Sequence, residues 1–297
     1  MPPFLRWLIF LLVAGSAVFW LVTRPDPMDA AALNGLSGDA EAGAQVFAAA
    51  GCASCHVAPG AETPEGGPVL SGGQAFTSAF GTFHAPNITP SLTAGVGSWS
   101  DIQLVNAIQR GISPEGAHYY PAFPYDSYIK ADTGDILNLV AYLRTLPEDA
   151  TPSRPHDVGF PFNIRRLLGG WKLLFVSEDW VVEGTLDESE TRGRYLVEAL
   201  GHCGACHTPR NLLGGPDTAD WLGGAPNPAG EGRIPGITPA HLTWSRDEIV
   251  EYLTSGFTPD YDTVGGEMVA VVDKISQLPD ADRLAIADYL KVLPGGQ

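Results

Sequence analysis

The only four cysteines of the chain are Cys52, Cys55, Cys203 and Cys206. They stand as two C-x-x-C pairs, and a histidine follows each pair at once: Cys52-Ala53-Ser54-Cys55-His56 and Cys203-Gly204-Ala205-Cys206-His207. Two thiols one helical turn apart can each add to a vinyl group of one porphyrin. The adjacent imidazole is then carried beneath the iron as its proximal ligand. This is the attachment signature for c-type haem. Two other chemistries use C-x-x-C. A redox dithiol of the thioredoxin kind would sit in a Trp-Cys-Gly-Pro-Cys context, which neither pair has. A shared Cys₄ zinc site usually brings its pairs far closer in sequence. Neither alternative accounts for the two histidines. The sequence predicts two covalent c-type haems, attached at Cys52, Cys55, Cys203 and Cys206, with His56 and His207 as axial iron ligands.

A haem used for electron transfer commonly has a methionine opposite its histidine. The methionines are Met1, Met28 and Met268. Met1 and Met28 flank an apolar N-terminal run, whereas Met268 follows His207 in a Gly-Gly-Glu-Met segment ahead of the last helical pattern. Met268 is the expected sixth ligand of the second haem. The first half has no methionine of its own. Either another side chain reaches that iron, or it is five-coordinate. His118 is the nearest candidate, with His84 and His156 as further options. Arg210, in Cys206-His207-Thr208-Pro209-Arg210, is a candidate partner for a haem propionate, since guanidinium forks suit carboxylates.

The elements that must position these residues occur twice, because the chain repeats itself. Pro86-Asn87-Ile88-Thr89-Pro90 is echoed by Pro235-Gly236-Ile237-Thr238-Pro239. Trp99-Ser100-Asp101 is answered by Trp244-Ser245-Arg246, and Gly111-Ile112-Ser113-Pro114 by Gly256-Phe257-Thr258-Pro259, both at an offset of 145. That offset carries Met268 back onto Phe123, which cannot bind iron. Each half ends in a helical pattern closed by proline: Ile136, Leu139, Val140 and Leu143 before Pro147, and Leu284, Ile286, Tyr289 and Leu290 before Pro294. The order in each half is helix, haem motif, long Gly/Pro-rich loop, short helix, ligand loop and terminal helix.

Seventeen basic against 34 acidic residues leave a formal charge of −17, which excludes nucleic acid as a partner. It favours redox proteins with a basic docking patch. With 44% hydrophobic residues, the chain can bury a core. Trp7 to Thr23 are uncharged and mostly apolar, bracketed by Arg6 and Arg24. A transmembrane helix and a signal peptide, with Ala14-Gly15-Ser16-Ala17 as its processing site, both fit. The apolar run continues past those small residues, and Trp7 and Trp20 lie near its ends, so a retained anchor is the favoured reading.

Both haem motifs, read with residues 80–83 (FGTF), Ala85 to Pro90, Trp99-Ser100, Tyr120 to Tyr125 (YPAFPY) and Phe160-Pro161-Phe162-Asn163, carry a resemblance. Over about residues 40 to 294 the chain resembles the membrane-associated multihaem cytochrome c subunits of periplasmic alcohol, aldehyde and gluconate dehydrogenases. The resemblance implies an all-α fold of two tandem class I cytochrome c domains with long Gly/Pro-rich loops, plus an N-terminal transmembrane helix. The expected divisions are an anchor at 1–24, a tether at 25–39, domains at 40–150 and 186–297, and a linker at 151–185. The implied role is electron carriage at the bacterial inner membrane, with the haem domains in the periplasm, between a dehydrogenase or another donor and a respiratory acceptor. Two departures stand out. Many such subunits have three haem domains rather than two, and methionine often stands where this chain has Phe123. The competing reading is a dihaem enzyme, a peroxidase or a thiosulfate-oxidising type, reacting at the first haem.

Overall fold

The computed structural model describes residues 1–228, 230 and 232–294. Its first element, α1 (Pro3–Val22), has a mean hydropathy of 2.1 over its most apolar window, none of it buried against the rest of the chain. Twenty residues at about 1.5 Å each are about 30 Å, the thickness of a bilayer's hydrocarbon core. The length fits a membrane anchor or a signal peptide.

The first half of the remaining chain holds α2 (Ala40–Ala49), α3 (Cys52–His56), the hairpin β1 (Ala75–Ser78) with β2 (Gly81–His84), α4 (Asp101–Arg110), α5 (Tyr125–Tyr128) and α6 (Thr133–Leu143). A connecting stretch carries α7 (Leu167–Phe175). The second half holds α8 (Glu188–Arg194), which runs on through a π-helical stretch at Tyr195–Leu200, then α9 (Gly204–His207) and the two-residue hairpin of β3 (Ala225–Pro226) with β4 (Arg233–Ile234). It ends with α10 (Arg246–Ser255), α11 (Met268–Ile275) and α12 (Asp280–Val292). The fold is mostly helical. The two small antiparallel hairpins are its departure from an all-helical expectation, and each lies between a haem motif and the helix that follows.

The halves are assembled by the same devices. In each, the helix entering the haem motif packs against the terminal helix, α2 on α6 and α8 on α12. A glycine permits each close approach. A Cβ at Gly43 would lie 1.9 Å from the Asn138 carbonyl oxygen, and one at Gly193 would lie 1.9 Å from that of Ala285. Helices α4 and α10 both start in a capping box, Ser100 with Gln103 and Ser245 with Glu248, which satisfies free N-terminal amides. Both stop at a left-handed glycine, Gly111 (φ 56°) and Gly256 (φ 78°). The chain then doubles back. Ile112 bridges His118, and Phe257 bridges Thr263, at the same offset of 145 that the sequence shows. One hydrophobic core runs through both halves, from Val46, Ile136 and Val140 to Leu196, Val197 and Tyr289.

The stretch from Pro25 to Asp39, whose Pro, Asp and Gly content suggests a tether, lies along the first half. The Met28 amide donates to Asn106 Oδ1 at 2.7 Å, and Asn106 Nδ2 donates back to the Met28 carbonyl at 3.1 Å. The Asp39 amide donates to Asn138 Oδ1 at 2.8 Å. Helix-borne amide side chains pair this backbone, which composition alone does not foretell.

Candidate haem-binding site

The one-turn helix α3 carries Cys52, Cys55 and His56, and α9, which Cys203 caps, carries Cys206 and His207. His56 Nδ1 donates to the Pro86 carbonyl at 2.9 Å, and His207 Nδ1 donates to the Pro235 carbonyl at 2.7 Å. These prolines open the repeated Pro-x-Ile-Thr-Pro motif, so the repeat supplies the same acceptor to both imidazoles. Donation from Nδ1 selects one tautomer and leaves the Nε2 lone pair free for iron. Burial lowers both histidine pKa values, against a smaller opposing effect of the proline carbonyls, and favours the neutral ligand form. The backbone repeats as well, with Gly72 N on the His56 carbonyl and Gly224 N on the His207 carbonyl, each at 2.7 Å.

All four cysteines are free. Burial pushes the Cys52 and Cys203 thiols up to about 12 and that of Cys55 to about 11, and it raises Cys206. Thiols held protonated make poor thiolate ligands or redox nucleophiles. They remain suited to thioether bonds. This donor set, a thiol pair with an oriented neutral imidazole in each half, fits a covalent c-type haem twice.

The two attachment loops touch. The Ala50 carbonyl, two residues before Cys52, accepts from His202 Nε2 at 3.3 Å and from the Tyr128 hydroxyl at 3.2 Å. His202 stands edge-on to the Tyr128 ring, centroids 5.7 Å apart, and holds a left-handed backbone (φ 39°) that non-glycine residues seldom adopt. Burial keeps its imidazole neutral. Cys206, in turn, is near enough to Cys55 to raise its pKa beyond the effect of burial. His202 was not among the sequence-predicted residues. Its position directly before the second haem motif was the one available signal.

Met268 is half-buried at the head of α11 rather than in a loop. Its neighbour Glu267 acts electrostatically on both Cys55 and Cys206, which places this end of α11 beside the junction of the two motifs. Phe123 lies against Tyr128, centroids 5.7 Å apart, on the side of the first attachment loop. His118 points elsewhere. Its Nε2 donates to the Thr23 carbonyl at the end of α1 at 2.9 Å, while neighbouring Tyr119 meets Phe123. His84 Nε2 faces Asp157 at 3.3 Å, and His156 Nδ1 accepts from the His84 amide at 3.1 Å. The Arg210 guanidinium donates to the carbonyls of Gly214 at 2.8 Å and Ala205 at 3.3 Å and closes its own loop.

The cytochrome c family pattern matches residues 40–147. A diheme cytochrome c-type protein of Cereibacter sphaeroides is 55% identical over 287 residues, covering 97% of this chain and 96% of that protein. The fructose dehydrogenase cytochrome subunit of Gluconobacter japonicus is 38% identical over 96% of this chain and 57% of its own length. The gluconate 2-dehydrogenase cytochrome c subunit of Pantoea cypripedii is 32% identical over 96% of this chain and 64% of its own. The chain thus spans about three fifths of those two dehydrogenase subunits and nearly all of the dihaem protein. With likeness of that extent and two sites of matching chemistry, the chain belongs to the cytochrome c family as a dihaem member that carries two covalently bound c-type haems and serves in electron transfer.

Proposed function

We propose that this chain is a membrane-anchored relay that passes single electrons from a periplasmic donor, a dehydrogenase or a respiratory complex, to a respiratory acceptor. The observation that carries the reading is the contact between the two attachment loops through Ala50, His202 and Tyr128. Electron transfer over short distances requires neighbouring redox groups and no bond-making residues. A protein that only relays must therefore hold its two sites together, and a shared hydrogen-bonded junction does so. When bound, the haems supply one-electron exchange. The names of these three relatives, each a cytochrome or a cytochrome subunit, favour carriage over a reaction at the first haem.

In this reading residues 40–150 and 186–297 are tandem cytochrome c domains joined by a linker at 151–185. Cys52 and Cys55 attach one haem and Cys203 and Cys206 the other. His56 and His207 are the proximal ligands, and Met268 completes the second iron. Residues 1–24 are a retained anchor at the inner membrane, with the domains on the periplasmic side. Retention is supported by the foot of α1, where Thr23 is 1% exposed and Arg166 lies over the Trp20 ring at 4.2 Å. Processing at residues 14–17 would leave Thr23, which the body buries, and Trp20, which Arg166 covers, on a short stub.

Low-temperature electron paramagnetic resonance of the oxidised, membrane-extracted protein tests the ligand assignment. Met268→Ala is expected to convert one low-spin ferric haem to high spin and to lower the higher of the two reduction potentials. An unchanged spectrum would remove Met268 from the iron. Turnover of hydrogen peroxide with a reduced cytochrome as donor would overturn the relay itself.

A further inference from the structure

The connecting stretch between the halves exposes more large apolar side chains than a linker needs. Phe160 is 81% exposed, Leu173 63% and Leu174 67%, and Phe162 and Leu167 are also in solvent. A second loop extends the same surface, with Leu212 98% exposed. The pieces are held together from beneath. Trp171 Nε1 donates to the Leu213 carbonyl at 3.1 Å, Phe175 lies against Gly215, and Phe162 meets Phe80 edge-on at 5.0 Å beside Gly214. A contiguous apolar surface on a soluble body marks an interaction site.

Its position says what covers it. Helix α7 packs on the last turn of α1. The approach is close because Gly169 lacks a side chain: a Cβ there would lie 2.2 Å from the Thr23 carbonyl oxygen. Arg166 stacks on Trp20 and donates to its carbonyl and, at 3.1 Å, to Thr23 Oγ1. Since α1 is about as long as the hydrocarbon core is thick, its last turn stands at the lipid headgroups, and α7 stands there with it. The charges agree. Between Asp157 and Glu178 there is no acidic residue, in a chain of net charge −17, and Arg165 and Arg166 are basic, while the Lys172 ammonium turns inward to the Arg110 and Gly111 carbonyls. Aromatic and leucine side chains beside cations are the composition of a segment lying in an anionic membrane interface.

We propose that residues 160–175, together with the loop at 211–214, form a second seat on the bilayer that α1 enters. The body would then be held against anionic lipid at a fixed tilt instead of swinging on a single anchor. This rests on the reading of α1 as a retained membrane helix, and the test separates the two.

The full chain with both haems is placed in nanodiscs of phosphatidylethanolamine and phosphatidylglycerol, doped with a lipid that carries a photoactivatable diazirine high on its acyl chain. Cross-linked peptides are located by mass spectrometry. The expected result is lipid adducts on α1, on peptides spanning 160–175 and on the 211–214 loop. The double variant Leu173→Glu/Leu174→Glu, at exposed positions that leave folding intact, should lose the adducts in 160–175 and keep those on α1. Adducts on α1 alone would overturn the second seat and leave the anchor standing. Adducts on neither would overturn both. Protein–protein cross-links from 160–175 to another copy, with no lipid adduct, would make the surface an interface between copies and overturn the lipid seat.

Discussion

His202 is the residue on which the junction of the two sites turns. It is bonded to the chain before Cys52 through one hydrogen bond and covalently adjacent to Cys203, so it links the two attachment loops. His202→Phe removes the donor and places a bulky side chain at a left-handed backbone position. His202→Asn keeps a donor on a residue that tolerates that conformation. Electron exchange between the haems, followed by pulse radiolysis with potentials checked by titration, should slow in the phenylalanine variant. It should be largely restored in the asparagine variant. The lost hydrogen bond should also cost about 1 kcal/mol of stability. His118 carries the opposite expectation. Its Nε2 serves the Thr23 carbonyl, and it alternates along an extended segment with Tyr119, which faces Phe123. His118→Ala should leave the spin state of the first haem unchanged by electron paramagnetic resonance. Its effect should appear instead as about 1 kcal/mol of lost stability at the foot of α1.

At the scale of elements, the repeated helix crossings decide whether each haem motif is held in place. Gly43 and Gly193 let α2 meet α6 and α8 meet α12 at backbone contact. An added methyl group at either glycine meets a carbonyl oxygen of the opposite helix, which cannot rotate away. Gly43→Ala and Gly193→Ala should therefore each destabilise the fold by roughly 1–3 kcal/mol, the range for overpacking a tight core. Denaturant unfolding checks the magnitude. Equal effects are expected, since both clashes are with backbone at the same distance. The substitution that favours helix in an isolated peptide is thus unfavourable here, because the crossing outweighs propensity.

For the molecule as a whole, charge and placement govern the encounter with partners. On the proposed reading, a net charge of −17 attracts a basic redox protein over distances comparable to the screening length, about 8 Å at physiological salt. Stopped-flow reduction or oxidation by a basic carrier protein should slow about tenfold or more as salt is raised from low to physiological levels. A rate indifferent to salt would remove electrostatic steering from the account.

How much of this was legible in advance follows from the range over which each feature is encoded. Attachment chemistry is local: two thiols, one turn and one imidazole lie within five residues, so the haem sites could be read from Cys52–His56 and Cys203–His207 alone. Helix ends and the repeat are local as well, and the offset of 145 reappears in the paired bridges after Gly111 and Gly256. The tertiary structure decided what depends on contacts between distant residues. Among these are the proline carbonyls that orient both imidazoles, the meeting of Ala50 with His202, the binding of His118 to Thr23 and the pinning of Met28 by Asn106. Each is a hydrogen bond between segments at least 28 residues apart, the separation of His207 from Pro235. A side chain's partner across such a distance is chosen by how helices pack, and packing is a property of the whole chain that no short stretch of residues contains.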